Sequence, residues 1–126
     1  MAFQLGAIGQ ISRHVGDIAK AEAWYRDVLG LPHLFTFGNL AFFDCGGTRL
    51  FLEQGEASEG EGDSVLYFRV DDINAAHQEL LLRGVNFREP PQLIHRHENG
   101  MEEWMAFFDD PDGKVLAIMS QVSPRS

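Results

Sequence analysis

The sequence predicts an α+β fold of two βαβββ modules within one domain, residues 1–126, because the chain contains an internal repeat. Each half opens with a short β-favouring segment and continues into an amphipathic stretch that ends at a glycine. Each half later reaches the same four residues, Ala-Phe-Phe-Asp, at positions 41–44 and 106–109. We expect module one at about residues 6–54, an acidic linker at about 55–63 and module two at about 64–122.

Turn and cap residues divide the first module into its elements. Gln10–Val15 is rich in β-favouring residues, and Asp17 stands where a helix N-cap belongs. Apolar residues then recur at helical spacing until Gly30, which supplies the positive φ that ends a helix. Glycine-containing turns separate three further strands, predicted at residues 34–37, 40–43 and 48–53.

The second module repeats this order. A strand is predicted at residues 65–70, a helix after the N-cap Asp72, and a helix end at Gly84. Asn99-Gly100 is the strongest short hairpin signal in the chain and predicts a two-residue turn between residues 93–98 and 101–108. The final strand is expected at residues 114–119.

Composition restricts the class of partner. The formal charge of −9 opposes nucleic-acid binding, which requires clustered Lys and Arg. Cys45 is the only cysteine, and no apolar run is long enough to span a membrane, so we expect a cytoplasmic protein that contacts neither nucleic acid nor membrane. Unpaired sheet edges favour a homodimer, the commonest symmetric assembly.

Three motifs carry a resemblance to a known family. They are Val-x-Asp-Ile before each helix, the Trp-Tyr…Val-Leu-Gly-Leu segment at residues 24–31, and Phe-Phe-Asp-Asp-Pro-Asp-Gly at residues 107–113. The chain resembles the vicinal oxygen chelate superfamily over about residues 6–122. That group contains glyoxalase I, extradiol dioxygenases and bleomycin-resistance proteins. The resemblance implies curved mixed sheets around a cavity into which metal ligands point.

The same resemblance identifies the positions where the family carries its metal ligands. They fall on Gln10, Phe51, Val65 and Ala117, and only Gln10 has a donor atom. A catalytic divalent cation usually needs three or more protein ligands, so we expect no cofactor and an apolar cavity that binds a small organic molecule. The residues expected to line this cavity are Gln10, Ser12, Phe51, Val65, Tyr67, Trp104, Ala117 and Met119.

An alternative keeps a metal through other ligands. A two-residue turn would pair His97 with Glu102, Arg96 with Glu103 and His95 with Trp104, which groups two imidazoles and one carboxylate on one face. A metal-dependent lyase, isomerase or dioxygenase would then use candidates from the set Gln10, Glu53, His95, His97 and Glu102.

The sequence leaves catalysis open, because it contains no self-contained catalytic motif. Glu53, Tyr67 and His95 are the candidate catalytic residues, although a Glu at the end of a strand is more often solvated. A purely structural dimerisation module is a third alternative, but it gives no reason for a polar Gln10 in an otherwise apolar strand.

Overall fold

The computed structural model describes residues 3–55 and 64–123. The chain divides into two compact units, Met1–Asp63 and Ser64–Ser126, and each unit holds one βαβββ repeat. Apart from Gly55, the predicted acidic linker at 55–63 lies outside the described residues. No helix among the described residues is both long enough and apolar enough to cross a membrane.

The first unit forms one mixed four-stranded sheet of order β1-β4-β3-β2, in which β1 runs parallel to β4 and the other pairs are antiparallel. Asp17 caps the helix as predicted, since its carboxylate accepts the N–H of Lys20 at 3.1 Å. The helix ends in a π-helical turn, Trp24–Val28. The elements are β1 (Gln10–Val15), α1 (Ile18–Ala23), β2 (His33–Phe37), β3 (Leu40–Cys45) and β4 (Thr48–Gln54).

The second unit repeats this topology with the order β5-β8-β7-β6. Asp72 caps its helix by accepting the N–H of Ala75 at 3.1 Å. The first strand is shorter than predicted and leaves Val65 outside it, because pairing with β8 begins only at Tyr67, opposite Ala117. The elements are β5 (Tyr67–Arg69), α2 (Ile73–Leu82), β6 (Gln92–Arg96), β7 (Glu102–Asp109) and β8 (Val115–Val122).

One helix covers one face of each sheet. Helix α1 contacts β3 and β4, and α2 contacts β7 and β8. Side chains under the helices are at most 5% exposed, whereas their neighbours in sequence point to the other face, which we call the open face. The buried helix-side residues include Val15, Tyr25, Phe43, Leu50 and Leu52 in the first unit and Ile73, Val85, Ala106, Phe108 and Leu116 in the second.

The two hairpins differ in their turns. Gly38-Asn39 forms the predicted two-residue turn, with Phe37 opposite Leu40. The predicted two-residue turn at Asn99-Gly100 is wrong, because the His97 N–H donates to the Met101 carbonyl at 2.8 Å. Its three-residue loop, residues 98–100, ends with a glycine at φ 91°, the usual partner of a bulge.

That extra loop residue shifts the register of β6 against β7 by one. Arg96 therefore lies opposite Glu102, and His95 lies opposite Glu103. The predicted pairs, His97 with Glu102, Arg96 with Glu103 and His95 with Trp104, do not form.

The two adjacent phenylalanines of β3 test the assignment of faces. Phe43 is 0% exposed under α1, so Phe43→Ala should lower the free energy of unfolding by about 3–5 kcal/mol. Phe42→Ala, on the half-buried open face, should cost no more than about half of that, since less surface leaves water there. Urea unfolding of both variants measures the difference, and equal losses would contradict the assigned faces.

Candidate functional site

The open face of the first sheet gathers most of the polar and aromatic residues expected at a site. The cross-strand pairs there are Gln10 with Arg49, Ser12 with Phe51 and His14 with Glu53. Because strand side chains alternate, the buried Leu50 and Leu52 hold the intervening β4 residues on this open face. The sequence-predicted residues Gln10, Ser12 and Phe51 therefore share one surface.

Three phenylalanines form a stack across this face, which we call the aromatic ladder: Phe35 on β2, Phe42 on β3 and Phe51 on β4. The centroids of the Phe35 and Phe42 rings are 4.4 Å apart with an interplanar angle of 21°. The Phe42 and Phe51 centroids are 5.4 Å apart with an angle of 27°. These values lie within or close to the range of offset aromatic stacking, so the ladder is a continuous apolar surface across three strands.

Arg49 lies beside the ladder. Its guanidinium carbon is 5.9 Å from the Phe35 ring centroid and 5.5 Å from that of Phe42, within cation–π distance. The cross-strand neighbour of Arg49 is Asp44, but the Asp44 carboxylate accepts the backbone N–H of Gly47 at 2.9 Å. Among residues 3–55 and 64–123, no carboxylate lies within ion-pair distance of the exposed Arg49 guanidinium.

The other end of this open face carries a histidine–carboxylate contact. His14 Nε2 lies 3.5 Å from the Glu53 carboxylate, and both side chains are about half exposed. Glu53, a candidate general base, thus has an imidazole neighbour and stands two residues beyond Phe51 on the same strand. The face is therefore cationic near Arg49 and carries a carboxylate near Glu53.

The second sheet has an open face of its own. Tyr67, Phe107, Ala117 and Met119 share it, and the Tyr67 and Phe107 rings meet edge to face with centroids 5.8 Å apart. Trp104 belongs to the opposite face, in step with the buried Ala106, and its indole N–H donates to Glu102 at 2.9 Å. Placing Trp104 on the same wall as Ala117 and Met119 is therefore wrong.

A polar cluster replaces the grouping predicted on the second hairpin. The His95 and His97 ring centroids are 4.6 Å apart, and His97 Nε2 lies 2.8 Å from the Glu103 carboxylate. Hydrogen bonds from His97 and Gln121 lower the pKa of Glu103. The shifted register places Glu102 away from the histidines, and Glu102 bonds to Arg96 at 2.6 Å instead.

The residues at the family's metal positions do not fit a divalent cation. Phe51 is a member of the aromatic ladder, Ala117 has no donor, and Val65 precedes β5. Within the described part of the chain, no three His, Cys, Asp or Glu side chains are grouped so that they could hold a metal ion. Of the four positions, Gln10 alone offers a donor atom.

Sequence reasoning missed two residues of this surface, Arg49 and Phe35. Arg49 shares the two-residue period of Phe51 and Glu53, and this period was the signal that could have identified it. Phe35 was harder to place, because a register shift between His33 and Phe35 changes which residues of β2 face the open side. Burial and the nearby Asp44 raise the pKa of the Cys45 thiol, so this cysteine stays protonated at neutral pH.

Two mixed sheets, each with a helix on one face, define a protein of two βαβββ modules. The chain belongs to the Glyoxalase/Bleomycin resistance protein/Dioxygenase superfamily, whose family model matches residues 7–118. This membership confirms the fold predicted from the repeat and the motifs. The chain is also 31% identical to the uncharacterized protein YraH of Bacillus subtilis, over 86% of this chain and 94% of that protein.

Solved structures share the fold. A virulence protein from Salmonella typhimurium matches with a TM-score of 0.74 and 24% identity, over 95% of this chain and 100% of that chain. A lactoylglutathione lyase from Agrobacterium tumefaciens matches with a TM-score of 0.69 and 23% identity, over 92% and 94% of the two chains. At these identities the likeness establishes the architecture and not the reaction.

The His97–Glu103 contact gives a pH prediction. A carboxyl whose folded pKa is lowered stabilises the fold above its unfolded pKa, and this stabilisation is lost as the pH falls through the folded pKa. Carboxyl NMR titration should therefore give Glu103 a pKa below the ordinary Glu value of about 4.3. His97→Ala should raise it more than His95→Ala, because His97 makes the hydrogen bond. An equal response to the two variants would contradict the shifted register.

Proposed function

We propose that this protein binds a small, partly aromatic organic molecule on the open face of its first sheet, without the divalent metal of its superfamily. The aromatic ladder is the observation that carries the proposal. Stacked rings on a sheet face, bordered by Gln10, Ser12 and Arg49, match the usual make-up of a small-molecule site, which is apolar with a few polar groups. A ligand that stacks on the rings removes further apolar surface from water.

The second sheet supports binding of the same kind. Tyr67, Phe107 and Met119 give its open face an apolar surface, and the Tyr67 hydroxyl adds a polar group that orients a ligand. Tyr67 is 44% exposed, so its hydroxyl is within reach of a bound molecule. Arg69 shares this face, opposite Met119, but the described rings there form an edge-to-face pair rather than a ladder of three, so we assign the face a secondary role.

The positions of the alternative metal-ligand candidates argue against metal-dependent lyase, isomerase or dioxygenase chemistry. Gln10 and Glu53 are the only members of the alternative ligand set in the first unit, and the exposed Arg49 lies directly opposite Gln10. In the second unit Glu102 is engaged by Arg96 and Trp104 rather than by the histidines. Binding or sequestration of a molecule therefore accounts for this surface better than metal catalysis.

We also propose a cytoplasmic location and small-molecule rather than nucleic-acid partners. The single Cys45 permits no internal disulfide, which suits a reducing compartment. The charge of −9 repels phosphate backbones.

The ligand-binding proposal predicts metal-independent binding through the ladder. Protein treated with a chelator should bind members of a library of one-ring and two-ring aromatic compounds in ligand-observed NMR. Phe51→Ala should weaken that binding by about tenfold, as expected for the loss of one stacking contact. Leu82→Ala, on the exposed surface of α2, is the matched control and should leave binding unchanged. Binding that disappears with the chelator and returns with a divalent metal would refute the proposal.

The proposed homodimer has its own prediction. Edge strands β2 and β6 expose large apolar residues, among them Phe37 at 73% and Ile94 at 50%. Sedimentation at micromolar concentration should give a mass near twice the 14.1 kDa of one chain. Phe37→Lys or Ile94→Lys should shift the protein toward monomer, because a charge on an edge strand disfavours pairing, whereas Leu82→Lys should not. A monomeric mass for the unaltered protein would reject the dimer.

A further inference from the structure

We infer that the ligand of the aromatic ladder is a planar aromatic monocarboxylate, and that Arg49 binds its carboxylate. The inference rests on the proposed function and specifies the ligand class for the same surface. It follows from three features of the open face: where the ring stack ends, where Arg49 lies without an ion-pair partner among the described residues, and where Glu53 lies.

The ring stack ends beside a small residue. The ladder crosses β2, β3 and β4, and the next position along the same line is Ser12 on the edge strand β1, opposite Phe51. Ser12 is exposed and contributes only a hydroxyl, so the β1 side of the Phe51 ring has no aromatic neighbour in the ladder. Neighbouring strands are about 4.8 Å apart, close to the spacing of stacked rings. A flat ring above Ser12 would therefore continue the stack as its fourth member.

The cation lies within reach of a substituent on that ring. Arg49 is one strand across from β1 and two residues along the strand from Phe51, so its Cα lies about 8 Å diagonally from that of Ser12. A carboxylate attached to a ring above Ser12 covers about half of that distance, and the arginine side chain covers the rest. The guanidinium carbon lies 5.5 Å from the Phe42 centroid and 5.9 Å from that of Phe35, on the side of Phe51 away from β1. The exposed Arg49 side chain therefore swings from the ladder toward β1, where its in-plane N–H groups bind the carboxylate through two parallel hydrogen bonds.

The surrounding charges favour one anionic group and no more. With a net charge of −9 the chain repels anions in general, so a bound carboxylate needs a local cation, and Arg49 provides one that no described carboxylate neutralises. On the other side of Phe51 the strand carries Glu53, which would repel a second carboxylate. The ligand's carboxylate therefore points toward Arg49 and its uncharged end toward Glu53.

Three probes separate stacking from charge: 2-naphthoate, its neutral isostere 2-naphthamide, and naphthalene-2,6-dicarboxylate. Calorimetry should give the tightest binding for 2-naphthoate. Arg49→Gln should weaken 2-naphthoate by about tenfold or more and change 2-naphthamide by less than about twofold, since only the charged ligand loses an ion pair. Phe51→Leu should weaken both, and Glu53→Gln should improve binding of the dicarboxylate alone. Arg83→Gln, on the exposed end of α2, is the matched control and should change nothing.

The outcomes distinguish this inference from the proposed function. If Arg49→Gln weakens the acid and the amide equally, or weakens neither, Arg49 does not bind the carboxylate and the inference is wrong. The inference is also wrong if none of the three naphthalene probes binds while other aromatic compounds still bind through Phe51. The proposed function then stands. If no aromatic compound binds, the proposed function and the inference both fail. Circular dichroism of Arg49→Gln confirms folding, which an exposed residue should not disturb.

Discussion

The packing of one helix on one face of each sheet is the constraint on which the remaining structure depends. In the first unit, α1 buries Leu50 and Leu52 of β4 to 1% and 0% exposure. Because successive side chains of a strand point to opposite faces, Arg49, Phe51 and Glu53 then lie on the open face. A register slip of one residue would bury a charge and expose two leucines, so the helix contact that stabilises the unit also fixes the composition of its open face.

The features that were predictable from sequence depend on local chemistry. Asp17 and Asp72 cap helices through their own backbone neighbours, and Gly30 and Gly84 adopt the positive φ that helix ends require. The second hairpin turn was not predictable in this way. Asn-Gly suits a two-residue turn, but a glycine also suits the last position of a three-residue loop. Contacts beyond the turn distinguish them, since the three-residue loop places His97 on the face of Glu103, where its Nε2 lies 2.8 Å from the Glu103 carboxylate.

The candidate site was only partly predictable, for a related physical reason. Gln10, Ser12 and Phe51 share a surface because β1 and β4 are regular, so counting by two along each strand places them. The ladder's outer ring, Phe35, lies beyond a register shift in β2, where counting by two fails. Arg49 follows the two-residue period, yet an arginine next to a turn is most often a solvated residue. Only the structure shows that its guanidinium lies beside two phenyl rings.

Phe51 shows why an aromatic site and the superfamily's metal site exclude each other on this sheet. One side chain cannot both stack on Phe42 and donate a ligand atom to a cation. Arg49 adds to the conflict, because a divalent ion held at the Phe51 position would lie only two residues, a rise of about 6.6 Å, along the strand from this arginine. Their repulsion is about 1 kcal/mol in bulk water and several times larger where water is excluded. The cation that disfavours a metal ion there is also the group that we propose attracts an anion, so the missing donor atom at Phe51 and the proposed recognition of a carboxylate both depend on this pair of neighbouring residues.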